Sequence, residues 1–226
     1  MIITLDGPCA SGKSTLAQLL ATRLGFFYMN SGYLYRSVAY LLVREYGYNQ
    51  TTLHNPDIEH IASILHQNNF EYRYHQGKAS VFYQGIDITD FLKNSDVSHH
   101  ASIVSAHPLV RASIVPVQHY FSEQHDVITD GRDCGTQIYP AAEFKFYVTA
   151  LPEIRAQRLQ LDYARKGIDM SFDDILTAVV ARDIRDSSRS LCPLKQANDA
   201  FLIDTSHRSV DEILDEITTI ISSHQS

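Results

Sequence analysis

An ammonium group, a hydroxyl and a run of small residues meet at Gly7-Pro8-Cys9-Ala10-Ser11-Gly12-Lys13-Ser14, followed by Thr15. The segment satisfies G-x-x-x-x-G-K-[ST] at every fixed position, a pattern that cradles nucleotide phosphates. Its glycines let backbone N–H groups approach phosphate oxygens, and a helix starting at the loop's end adds its positive dipole. Lys13 is then placed to reach the β- and γ-phosphates, and Ser14 to hold Mg²⁺. Coincidence would produce the pattern in about one chain in a hundred of this size.

The loop leaves the phosphoryl acceptor open. No N-K-x-D element for guanine is present, and 226 residues leave no room for the partner domains of a large ATPase. A small-molecule kinase is the leading class, and it needs a second anion site. In Arg182-Asp183-Ile184-Arg185-Asp186-Ser187-Ser188-Arg189, residues 182, 185, 186 and 189 share one face of a helix. A charge run more often marks a solvated face. Beside a phosphate loop in an acidic chain, a second anion site is the better reading, with Arg182, Arg185 and Arg189 facing it. Arg155 and Arg158 are three apart at the start of another predicted helix, where they could cover the transferring phosphoryl. Asp130-Gly131-Arg132-Asp133 follows an apolar run, and strand ends line the ligand crevice in doubly wound sheets.

These groups need a scaffold. Met1 to Leu5 reads as a strand running into the loop, and Lys13 to Leu24 as a helix with Leu16, Leu19, Leu20 and Leu24 on one face. A second helix is expected to start with Ser31 as N-cap, and a third at Asn55-Pro56. Between Phe70 and Thr89 alternating residues and the turns at Gly77 and Gly85 predict a small antiparallel meander. Helices are expected near Asp96–Ala106 and Leu109–Phe121, with Pro108 in first position. Strands are expected at Val127–Thr129, Phe144–Val148 and Phe201–Ile203. Ser171 with Asp174 and Ser209 with Glu212 read as capping boxes, and Val210, Ile213, Leu214 and Ile217 as the core face of the last helix. Apolar strands alternating with helices imply an α/β class with a parallel sheet flanked by helices.

Composition agrees: 44% hydrophobic and 20% charged residues describe an ordinary globular chain. No run approaches the roughly 18 apolar residues of a membrane helix, and the N-terminus lacks a signal pattern. Cys9, Cys134 and Cys192 form neither a disulfide framework nor a zinc site, which fits a cytoplasmic location. A formal charge of −7 opposes binding to a nucleic acid polymer. A monomer is expected, because no long apolar surface stripe is left over.

Further segments carry a family resemblance over essentially the full length. They are the loop at Asp6–Ser14, Ser31-Gly32-Tyr33-Leu34-Tyr35-Arg36, Asp130-Gly131-Arg132-Asp133-Cys134-Gly135-Thr136, the 182–189 run, and Pro193-Leu194 after it. Together they resemble the bacterial cytidylate kinases, P-loop nucleoside monophosphate kinases. The resemblance implies a P-loop NTPase fold: a core about 1–36 and 97–226, a monophosphate-binding insert about 37–96 holding the β meander, and a helical lid about 153–170. It implies phosphoryl transfer from ATP, with Mg²⁺, to CMP and dCMP. Carried over by position, Ser31, Arg36 and Arg132 would hold the acceptor phosphate. Ser102, Arg111, Asp133 and Arg189 would line the base pocket, Arg182 and Asp186 would lie near the sugar, and Arg155 and Arg158 would belong to the lid. The family usually has Asp where Asn30 stands, and small or apolar residues where Cys9 and Cys134 stand.

Direct in-line transfer through a loose transition state follows, with no covalent enzyme intermediate. Lys13 and the arginines supply positive charge, and Asp130 would accept from a Mg²⁺-bound water. A kinase for another acceptor and a slowly hydrolysing P-loop binding module are the alternatives. Stimulation of turnover by a nucleoside monophosphate separates them.

Overall fold

The computed structural model describes residues 1–224. Five parallel strands form the central sheet in the order β2-β6-β1-β7-β8: β1 Ile2–Asp6, β2 Phe27–Asn30, β6 Val127–Gly131, β7 Phe144–Thr149 and β8 Phe201–Asp204. β1 lies between β6 and β7, with Asp6 opposite Gly131 on one side and Tyr147 on the other. From β1 the chain first builds outward on the β6 side and later on the β7 side. The loop leaving β1 therefore opens at the point where strand order reverses, the usual ligand crevice of such sheets.

Both faces are covered. On one, α1 (Lys13–Leu24) and α8 (Val210–Ser223) pack Leu16, Leu20, Ile213, Leu214 and Ile217 against Ile3, Leu5, Phe146 and Val148. On the other lie α2 (Ser31–Tyr46), α3 (Ile58–Leu65), α4 (Ser95–Val104), α5 (Pro108–Gln124) and a three-stranded antiparallel sheet. That small sheet is β3 Phe70–His75, β4 Lys78–Tyr83 and β5 Ile86–Asp87, the expected meander. It shares one apolar core with Met29 and Val127 of the main sheet, through Phe70, Tyr72, Val81 and Tyr83. A separate pair, α6 (Pro152–Arg165) and α7 (Phe172–Ser188), is held by a small cluster of its own, Ala156, Ile175 and Val179. No described helix is long and apolar enough to cross a membrane.

Several local readings need correction. Ser31 is the first helical residue of α2, and Asn30 is its N-cap, accepting a hydrogen bond from the Tyr33 N–H at 3.1 Å. α3 begins after Asp57, whose carboxylate accepts from the Glu59 N–H, so Asn55-Pro56 ends a preceding turn. Ser209 and Glu212 form a reciprocal capping box; Ser171 caps α7 from one side only. Leu19 and Val210 point to solvent, at 42% and 41% exposure, and Ala17 and Ile221 take their places in the core. β2 was not foreseen at all: at four residues it is too short for its alternation to stand out.

Candidate active site

The phosphate loop is shaped by backbone that only glycine tolerates. A Cβ on Gly7 would sit 1.9 Å from the Val148 carbonyl oxygen, so any side chain there would collide with β7. Gly12 opens α1 in a left-handed conformation, φ 89°, and no side chain caps that helix. The first N–H groups of α1 are left for a ligand, where the helix dipole favours an anion. Lys13, 6% exposed, donates from Nζ to the Pro8 carbonyl at 2.9 Å. Among the described residues no carboxylate lies within ion-pair range of it. Burial, reinforced by Arg132, pulls its ammonium down to about 7.

A proton balance follows. At about pH 8 the free enzyme holds Lys13 mostly neutral, and a bound triphosphate favours the ammonium, so binding should take up a proton. At about pH 6 the group is already charged and uptake should vanish. Calorimetric titration of an unreactive ATP analogue in two buffers of different ionisation heat reads this directly. Equal heats in both buffers at the higher pH would refute it.

Ser14 Oγ donates to Asp130 Oδ2 at 2.5 Å, and the Tyr28 hydroxyl donates to Asp130 Oδ1 at 2.8 Å. A serine hydroxyl and a carboxylate are hard oxygen donors, and Mg²⁺ commonly takes one or two such groups with substrate phosphates. The residues present fit that ion. No cluster of three or more His, Cys, Asp or Glu suited to another metal occurs among the described residues.

Beside the loop lies a cleft of about 180 Å³ lined by Cys9, Lys13, Ser14, Ser31, Arg36, Ser102, Arg111, Asp130, Arg132, Asp133, Arg182, Asp186 and Arg189, with Tyr35 and Ser105 completing its walls. Near the loop the charge is mainly positive: among the described residues Arg36 has no carboxylate in ion-pair range, and Lys13, Arg132 and Arg182 adjoin it. Arg132 Nε donates to Asp186 Oδ2 at 2.8 Å, and Arg182 Nε stands 3.9 Å from the same oxygen. Burial alone would raise the Asp186 carboxyl; Arg132 and Arg182 outweigh it and hold it below the ordinary range. The same cations act on Cys9, where burial would raise the thiol but Arg182, Arg132, Lys13 and Arg36 bring it below its ordinary value. Ser31 Oγ donates to the Asp130 backbone carbonyl at 2.5 Å, locking the start of α2 to the end of β6.

At the far end, Arg111 forms a buried ion pair with Asp133, and Arg189 Nη2 lies 3.5 Å from the other Asp133 oxygen. Arg111 also donates to the Ser105 carbonyl at 3.2 Å, and Ser102 stands a turn away on α4. Burial pushes the Asp133 carboxyl up, against the pull of Arg111 and Arg189.

The expected placements of four arginines are corrected. Arg185 is solvent-exposed and absent from the cleft walls. Arg189 reaches the cleft by a different route, because α7 ends at Ser188 and Arg189 is extended at its C-cap, Nε donating to the Cys192 carbonyl at 2.6 Å. Arg155 and Arg158 are also not free to cover a phosphoryl group. Arg155 is 3% exposed and makes a bidentate pair with Asp183 at 3.0 and 2.5 Å, with further bonds to the Ala150 and Cys9 carbonyls. Arg158 donates to Thr205 Oγ1 and the Thr205 carbonyl at 2.9 and 2.6 Å.

Two residues escaped the sequence reading. Asp6 accepts from the Cys134 and Gly135 N–H groups at 2.9 and 2.7 Å and so holds the turn that carries Asp133. Burial raises its carboxyl to about 6 despite those bonds. An acid ending an apolar strand was the available signal. Tyr28 had none, being one aromatic among thirteen tyrosines.

A family profile described as cytidylate kinase matches residues 3–223. The cytidylate kinase of Bacillus cytotoxicus is 35% identical over 223 residues, covering 97% of this chain and 95% of its own. That of Desulfitobacterium hafniense is 36% identical over 220 residues, covering 97% and 92%. Among solved structures, TT1252 from Thermus thermophilus superposes with a TM-score of 0.50 at 15% identity, covering 100% of this chain and 98% of that one, a likeness of fold alone. The profile spans nearly the whole chain, phosphate loop and arginine cleft included, and the chain belongs to the cytidylate kinase family.

Proposed function

We propose that the cleft beside the phosphate loop is where this enzyme carries out its reaction, the ATP-dependent phosphorylation of CMP and dCMP to their diphosphates. The observation that supports this most is the convergence of Lys13, Arg36, Arg132 and Arg182 between the loop and the Arg111–Asp133–Arg189 cluster. In this reading residues 7–15 hold the ATP phosphates. Ser14 and Asp130 would hold Mg²⁺, Asp130 through a water, and the ion would supply charge neutralisation on the phosphates. Ser31, Arg36 and Arg132 seat the acceptor phosphate, and Arg182 and Asp186 face the sugar. Ser102, Arg111, Asp133 and Arg189 face the base.

Transfer is direct and in line. Lys13 and the arginines stabilise charge spread over the phosphoryl oxygens, and the enzyme forms no covalent intermediate. Arg155 is reassigned from covering the phosphoryl to joining the phosphate loop, through the Cys9 carbonyl, to α7, through Asp183. Residues about 153–170 remain the proposed lid, in keeping with the separate small core of α6 and α7. Its closure would exclude water, which competes as acceptor. The enzyme works on free nucleotides as a cytoplasmic monomer.

Initial rates with a panel of acceptors test the assignment. CMP and dCMP should stimulate ADP release well above UMP and AMP; turnover that no monophosphate stimulates would end it. A second comparison addresses α7. Arg189→Met should lower kcat/KM for CMP by about ten- to a hundredfold, the worth of a charged hydrogen bond. Arg185→Met should change activity little and stability by less than about 0.5 kcal/mol, as for an ordinary surface side chain. Equal losses in both variants would restore the one-face reading of the helix.

A further inference from the structure

We propose that Tyr28 is a positioning residue for the metal-holding hydroxyl of Ser14, acting through Asp130, with Asn30 setting the direction of the hydrogen bonds. The proposal rests on the assignment of Ser14 to Mg²⁺ made above. Tyr28 lies on β2, 2% exposed, and Asp130 is the penultimate residue of the adjacent β6, 3% exposed. Both side chains are buried, so the bonds they make are set mainly by the protein groups around them.

The direction of each bond can be worked out from donors and acceptors. Asn30 Oδ1 is occupied by the Tyr33 N–H, because Asn30 caps α2. Its amide is thereby oriented, and Nδ2 points to the Tyr28 hydroxyl oxygen at 3.0 Å. An amide N–H₂ can only donate, so the Tyr28 proton is directed to Asp130 Oδ1, 2.8 Å away. The other carboxylate oxygen then takes the Ser14 proton at 2.5 Å. With its proton committed to Asp130, Ser14 Oγ keeps its lone pairs for a cation. Tyr28 thus fixes the carboxylate plane, and the carboxylate fixes the serine rotamer, in the way outer groups orient a metal's direct ligands.

An amide suits position 30 for the same reason. A carboxylate there would compete with Asp130 for the Tyr28 proton; the amide instead pushes the proton toward Asp130. The chain of bonds continues away from the site, since the Asn30 N–H donates to the Tyr72 hydroxyl at 2.8 Å and Tyr72 donates to the Tyr28 carbonyl at 3.1 Å. Tyr72 belongs to β3 of the meander, and among the described residues its hydroxyl bonds to backbone groups and to no carboxylate. It separates sheet packing from metal positioning.

The test is a Mn²⁺ titration, followed by electron paramagnetic resonance, of the enzyme with an unreactive ATP analogue. Tyr28→Phe keeps the ring and removes only the hydroxyl. It should weaken Mn²⁺ binding by about ten- to a hundredfold, the usual effect of losing an outer partner. Its CMP affinity should stay near that of the parent. Tyr72→Phe should leave Mn²⁺ binding unchanged, and Tyr28→Phe placed in a Ser14→Ala background should add no further loss. Parent-like Mn²⁺ binding in Tyr28→Phe, or equal losses in Tyr28→Phe and Tyr72→Phe, would overturn the proposal while leaving Ser14 as the metal's ligand. Unchanged binding in Ser14→Ala alone would overturn that assignment and the proposal with it.

Discussion

Replacing Lys13 with alanine is expected to lower kcat for CMP phosphorylation by at least about a hundred- to a thousandfold, the loss typical when one preorganised donor is taken from a developing charge. The expectation follows from what surrounds the side chain. Lys13 is buried at the mouth of the loop and donates to the Pro8 carbonyl, and among the described residues no carboxylate is in ion-pair range to share its charge. Burial, with Arg132 beside it, draws the ammonium down to about 7, and in the proposed reading an arriving phosphate would compensate the charge. Its interaction with the substrate is correspondingly large.

Folding should respond in the opposite sense. A lysine whose folded-state value is depressed from 10.5 to about 7 binds its proton more readily in the unfolded chain between those two values. Its contribution to stability is therefore least favourable below about pH 7 and improves as pH rises toward the unfolded value. Removing the group should leave the melting temperature unchanged or raised near pH 6, with the advantage shrinking toward pH 9. Thermal melts across that range, run beside the kinetics, check both halves. A parent-like kcat would remove the phosphate-loop reading. A variant that melts much lower at pH 6 would show that Lys13 serves the fold instead.

Asp133→Ala should have two effects together, and the pairing is what the structure adds. In the proposed base pocket Asp133 accepts from the cytosine amino group, a recognised pairing, whereas uracil would present it with a carbonyl oxygen. A buried mismatch of that kind costs about 1–3 kcal/mol, so the ratio of kcat/KM for CMP over UMP should fall by about ten- to a hundredfold. The fall should come mainly from loss on CMP. The carboxylate is also the partner of Arg111, 5% exposed, and of Arg189. Taking one member from a buried ion pair leaves an uncompensated charge, typically at a cost of about 3–5 kcal/mol in stability. A clear drop in melting temperature is thus expected along with the change in preference, and the kinetics must be taken well below it. An unchanged CMP-to-UMP ratio with a lowered melting temperature would make Asp133 purely a scaffold for Arg111. Base choice would then pass to Arg189 and Ser102.

Much of this site was legible in the chain because its signals are local. The phosphate-loop motif is one continuous segment, and its glycines, lysine and serine lie within a few residues of each other. The strand before it and the helix after it announce themselves by apolar spacing, and Lys13–Leu24 is helical over the range that spacing predicts. The meander between Phe70 and Asp87 was readable for the same reason, since period-two alternation and turns at Gly77 and Gly85 need no distant partner. Caps were readable to within a residue or two. Several residues in a row can supply a capping oxygen, and only backbone geometry chooses Asn30 over Ser31 or Asp57 over Asn55.

Tertiary structure alone decided which charges face one another. Spacing put Arg182, Arg185, Asp186 and Arg189 on one helical face, but it could not say that α7 stops at Ser188 and sends Arg189 inward by a separate turn. Nor could it say that Arg155 is already committed to Asp183, a residue 28 positions away on another helix. The Arg111–Asp133 pair and the Tyr28–Asp130–Ser14 chain join elements 22, 102 and 116 residues apart in sequence. Whether a guanidinium is spent on a carboxylate or left for a phosphate depends on which strands are neighbours and how each helix docks. The order β2-β6-β1-β7-β8 settles that by laying the ends of β2, β6 and β1 side by side. The sequence by itself determined a nucleotide-phosphate motif on an α/β scaffold, because backbone conformation and loop chemistry are encoded residue by residue. Which of its arginines remain free for the substrate is a property of the packed chain, because an ion pair needs both partners in one place.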